Sequence, residues 1–119
     1  STRDAHETAR LLGDRPATTV GQLAARATQA LAAAGDDDVV PTAAGAMRVR
    51  DWIPTRTFEL VVHGLDVAEA GGVPAGFTDE AVTEATLLAA RIATAVGDGP
   101  AVLRALTGRA ALPDSFSAV

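Results

Sequence analysis

Apolar residues recur at helical spacing in two long stretches, and each stretch is closed by glycine. Val20, Leu23, Ala24, Ala27, Leu31 and Ala34 form one stripe, ended by Gly35. Ala81, Ala85, Leu88, Ile92 and Val96 form another, ended by Gly97. This periodicity rules out an alternating, half-buried sheet for most of the chain. The composition agrees, because 48% of residues are hydrophobic but only 3% are aromatic. A core made of Ala, Leu and Val suits close-packed helices better than an aromatic-rich sheet. The expected fold is all-α: one helical-bundle domain over residues 1–119, with a small β-hairpin before the central helix.

Local signals divide the chain further. Residues 4–12 form a short helix ended by Gly13 and Pro16. Thr19, with Gln22 at capping-box spacing, opens the next helix. Asp36, Asp37 and Asp38 form a solvated turn without the alternating ligand spacing of a calcium loop. Val39–Val40 and Met47–Val49 are the arms of the hairpin. Asp51 caps a central helix that has Pro54 in its first turn and stops at Gly71–Gly72. Thr78 caps the helix after it, with Ala81, Ala85, Leu88, Ile92 and Val96 facing inward. Pro100 starts a short last helix that turns Leu103 and Leu106 inward, and an extended tail follows.

Charge and composition exclude several functions. Ten basic and fifteen acidic residues give a formal charge of −5, which repels a phosphate backbone, so no nucleic-acid partner is expected. The arginines are scattered, Lys is absent, and no apolar run is long enough for a bilayer, so no membrane partner is expected either. There is no Cys, hence no disulfide, no thiolate-ligated zinc and no thiol nucleophile from the chain itself. That absence, with no signal peptide, fits a cytoplasmic protein.

The segment that carries chemistry runs from Arg56 to Asp66. Glu59 and His63 are four residues apart and Asp66 is three further on, so all three share one face of a helix. Phe58, Val61, Val62 and Leu65 make the neighbouring apolar face. Glu oxygen and His nitrogen are ordinary ligands of zinc and related ions. Asp66 could orient His63, hold a metal-bound water or act as a base. The same spacing also describes a plain surface ion pair worth tenths of a kcal/mol. His6 reads as a solvent residue rather than a third ligand, and Trp52 as a core anchor or a staple at the helix entry.

The run Arg56-Thr57-Phe58-Glu59-Leu60-Val61-Val62-His63-Gly64-Leu65-Asp66-Val67-Ala68 resembles the third-helix signature of the mycothiol-dependent maleylpyruvate isomerase N-terminal (DinB-like) family. The stretch Thr42 to Val49 before Arg50-Asp51 is similar to the loop preceding that helix. Val102 to Arg109 with Leu112-Pro113 resembles the end of many actinobacterial members. The resemblance implies a DinB-like four-helix bundle. It implies a divalent metal, usually zinc, held by a first-helix His together with the Glu and His that fall here on Glu59 and His63. It implies a functional role for Asp66, the candidate catalytic residue. It also implies mycothiol as thiol cofactor, which would let a Cys-free protein do thiol chemistry on a small substrate as a transferase or isomerase.

The match to that pattern is incomplete. No long first helix and no first-helix His are found, and His6 falls between the family's first two long helices, so the third ligand is not carried over to it. A homodimer or a partner chain would then complete the bundle. A non-catalytic interaction or dimerisation module that retains a partial metal site is the competing expectation, and a bundle that binds a small ligand without chemistry is a third.

Overall fold

The computed structural model describes residues 2–119. It is mostly helical, with one two-stranded antiparallel sheet, in the order α1 (Thr2–Leu12), α2 (Pro16–Ala33), β1 (Val39–Thr42), β2 (Gly45–Arg48), α3 (Val49–Gly71), α4 (Asp79–Ala95) and α5 (Gly99–Leu106). The chain divides into two compact units, Ser1–Asp38 and Val39–Val119. No helix among the described residues is long and apolar enough to cross a membrane.

The first unit is a helical hairpin. α2 starts at Pro16, earlier than the capping-box spacing of Thr19 suggests. The proline ring presets the first-turn dihedral and has no N–H to leave unpaired there. Thr19 therefore sits within the helix, and its hydroxyl donates to the Leu12 carbonyl at 2.9 Å, joining the end of α1 to the first turn of α2. Neither helix contains a fully buried residue, and Val20, Leu23 and Leu31 of the apolar stripe stay about half exposed. The acidic turn forms as expected, with the Gly35 N–H donating to Asp38 Oδ2 at 2.8 Å.

The second unit opens with the expected hairpin. Val40 pairs with Met47 and Thr42 with Gly45. Gly45 has φ +113°, which an L side chain rarely adopts, so the turn needs glycine there. β2 then runs straight into α3 without a loop, so the helix begins at Val49. This shift moves two residues from their expected places. Asp51 lies inside the first turn, where its charge complements the helix dipole rather than capping it. Pro54 lies inside the helix, where it has no N–H to offer the carbonyl of Arg50. At its far end α3 stops as expected, on Gly72 in the left-handed conformation at φ +62°.

α3 packs on α4, and α4 on α5. Phe58, Val61 and Ala85 form the core cluster, with Val62, Phe77, Ala81, Leu88 and Ala89 packed around it. Thr78 caps α4, its hydroxyl accepting from the Ala81 N–H at 3.2 Å. The inward stripe of α4 ends on Ala93, which is 1% exposed, whereas Val96 is 65% exposed. Val96 is the C-cap, where the chain has already left the helix that would have turned it inward. In α5 the half-buried positions are Val102 and Ala105, one residue before the expected Leu103 and Leu106, which are exposed. Both pairs satisfy the same i, i+3 spacing, and packing on α4 decides between them.

Candidate functional site

The candidate face lies on α3 in the second unit. Its position follows from the core. Phe58, Val61 and Ala68 are buried, so the helix surface about half a turn away must point outward. Glu59, His63 and Asp66 are on that outward surface, with side chains 48%, 72% and 72% exposed. Within the expected apolar set, Leu65 remains 46% exposed.

The three polar residues form a line. His63 Nε2 is 3.1 Å from Glu59 Oε2, a hydrogen bond one helical turn long. On the other side of the ring, His63 Nδ1 is 3.9 Å from Asp66 Oδ2, within ion-pair reach and too far for a hydrogen bond. The structure thus brings together all three residues that the sequence singled out, with one carboxylate at each imidazole nitrogen. His6 lies in the other unit, on an exposed face of α1 with Arg3, Ala9 and Arg10.

Around Glu59 and His63 runs a shallow, open groove lined by Arg56, Leu60, Gly64 and Val67. Leu60 and Val67 are 69% and 70% exposed, so apolar surface borders the polar line directly. The four-and-three spacing from Arg56 through Leu60 and His63 to Val67 marks a single helix face, a signal that the pattern of charged residues alone does not carry. Arg56 is held by its surroundings. Its guanidinium lies 5.7 Å from the centroid of the Trp52 ring, and its Nε donates to Thr55 Oγ1 at 3.2 Å. Trp52, half-buried, thus serves as the platform for the arginine at the groove's end.

Gly64 fixes how α3 is seated. A side chain there would run into the ring of Phe77, which comes from the segment joining α3 to α4. The glycine next to His63 therefore lets an aromatic ring rest directly on the helix backbone.

The donor set can be compared with a metal's needs. Two atoms 3.1 Å apart suit neighbouring positions in the shell of an ion whose bonds are about 2.0–2.2 Å long. The number of donors is short. Among the described residues, no group of three or more His, Cys, Asp or Glu side chains is placed to hold a metal ion. Glu59 and His63 are zinc ligands in kind, and their two donor atoms lie close enough to share an ion.

In comparisons with known proteins, a family model described as the mycothiol maleylpyruvate isomerase N-terminal domain matches residues 2–68, more than half of the chain and all of the Glu59–Asp66 segment. No curated protein and no solved structure matches.

Proposed function

The chain belongs to the mycothiol maleylpyruvate isomerase N-terminal domain family, and from that premise we propose that it is a divalent-metal-binding DinB-like domain of the kind used by mycothiol-dependent transferases and isomerases. The observation that carries this reading is the pairing of Glu59 Oε2 with His63 Nε2 at 3.1 Å on an exposed helix face.

Glu59 and His63 are the ligands, and zinc is the metal that this carboxylate and imidazole suit best. Asp66 faces the far ring nitrogen of His63. With a metal in place of the hydrogen that Nε2 shares with Glu59, a small turn of Asp66 would let it accept from Nδ1–H, the usual role of a carboxylate behind a metal-bound histidine. Its exposure also leaves it free to take a proton from an incoming group, which is the catalytic role proposed for it. The metal, when bound, lowers the pKa of a coordinated thiol, so that the thiolate of mycothiol is available at neutral pH. Leu60 and Val67 give the groove an apolar wall against which the rest of a small substrate can lie.

Calorimetric titration of zinc into the chelator-treated protein tests this reading. The wild type should bind zinc, His63→Ala should not, and mycothiol should bind only to the zinc-loaded form. Equal zinc binding by both proteins would remove His63 from the metal site.

A second reading has its own observation. Leu60 and Val67 expose apolar surface along the same face, which suits a helix-docking module without chemistry. It predicts a partner-dependent change in assembly that persists when the metal is removed.

A further inference from the structure

Arg56 enters the groove at one end with its guanidinium already placed. The Trp52 ring lies 5.7 Å away on one face, and Nε donates to Thr55 Oγ1 at 3.2 Å. The Thr55 hydroxyl in turn donates to the Trp52 carbonyl at 2.6 Å, so it meets the arginine as an acceptor. Neither contact uses the terminal nitrogens Nη1 and Nη2. Their N–H groups form a flat fork that matches both oxygens of one carboxylate. The same side chain borders the recess that Thr42 and Met47 of the hairpin make with Trp52 and Thr55, so Arg56 stands where the groove meets the hairpin.

From Arg56 to Val67 the groove follows α3 for about 16 Å, at 1.5 Å per residue. Arg56 is the fixed cation among its lining residues, and Glu59 and His63 follow about 4.5 and 10.5 Å further along the axis. Leu60 and Val67, 69% and 70% exposed, make the apolar stretch, and Gly64 between them adds no side chain. Beyond Arg56 the carboxylates are the groove's own, with Glu59 in its lining and Asp66 beside His63. A second acidic group on a ligand would be repelled there. A phosphate monoester, carrying about −1.5 to −2, would be repelled more than a singly charged carboxylate.

We propose that the groove takes a small acid with a single carboxylate and an apolar body, and that Arg56 is the residue that selects it. The carboxylate sits on Nη1 and Nη2, and the body lies along Leu60, Gly64 and Val67. What the acid meets on the way rests on the metal-binding reading above. Its body passes Glu59 and His63, where a metal-held thiol would reach it.

Trp52 is the chain's only tryptophan and touches Arg56, so its emission reports on the fork. Hexanoate, hexanol and adipate are titrated into the full chain in EDTA at low ionic strength, and zinc is titrated separately by calorimetry. Saturation-transfer NMR on the ligands' chain protons detects binding that leaves the emission unchanged. Hexanoate should bind saturably. Hexanol should bind about tenfold more weakly, having no charge for the fork, and adipate about fivefold more weakly. Arg56→Gln should lose hexanoate by about tenfold or more and still bind zinc, since it removes no metal donor. Arg56→Lys keeps the charge without the fork and should recover part of the affinity, which a general loss of folding would not. Equal hexanoate binding by Arg56→Gln and the wild type, or equal binding of hexanol and hexanoate, would overturn the inference. Adipate binding more tightly than hexanoate would overturn the single carboxylate. Hexanoate held through Arg56 in a protein that binds no zinc would keep the role of Arg56 and overturn the metal-binding reading. Zinc bound through His63 with no binding of hexanoate would do the reverse.

Discussion

Gly64 and Gly21 are both helical glycines, and they have opposite surroundings. A Cβ at Gly64 meets the Phe77 ring, while one at Gly21 has nothing within 4 Å. Gly64→Ala must displace the ring or shift α3, and should destabilise the protein by about 1–3 kcal/mol. Gly21→Ala removes only the entropic penalty of glycine in a helix and should stabilise by about 0.5–1 kcal/mol. Urea unfolding of the two variants checks both signs. At this scale the sequence was informative about chemistry and silent about packing. The Glu59, His63 and Asp66 spacing identified the polar line, because three positions on one helix face are fixed by the helix period alone. The contact of Phe77 with Gly64 depends on how the segment before α4 folds back, which no local pattern encodes.

Among the elements, α4 has the best-defined start. The Thr78 hydroxyl accepts from the Ala81 N–H, and Asp79 and Glu80 follow in the first turn. Thr78→Ala should lose about 1 kcal/mol, and thermal unfolding at neutral pH measures it. Phe58 on α3 belongs to a core cluster whose other buried members are Val61 and Ala85. Phe58→Ala should cost about 3–5 kcal/mol, a large part of a small domain's stability of about 5–15 kcal/mol. Helix existence and the hairpin were legible from periodicity, glycines and the Thr78 cap. Helix starts were less so where two signals competed. Pro16 prevailed over Thr19 in α2, and the strand running directly into α3 displaced Asp51 from the cap and Pro54 from the first turn. The phase of α5 was not legible, because Val102 with Ala105 and Leu103 with Leu106 have the same spacing.

For the whole molecule, the proposed metal site would link metal and stability. A ligand that binds only the folded chain stabilises it by about 2.7 kcal/mol at a concentration a hundred times its Kd. Zinc should therefore raise the unfolding midpoint of the wild type, EDTA should lower it again, and His63→Ala should respond to neither. Family membership was legible because the Arg56–Ala68 run is one continuous helix whose residues serve both core and surface. A further donor for the proposed site was not, because a ligand from elsewhere leaves no trace in the spacing around Glu59 and His63.

On the proposed reading Glu59 and His63 hold a metal, and elemental analysis of the purified wild type beside His63→Ala shows whether they do. Zinc is expected in the wild type at up to one equivalent per chain, and should be lost in the variant. Equal zinc in both proteins, or none in the wild type after exposure to zinc, would contradict it.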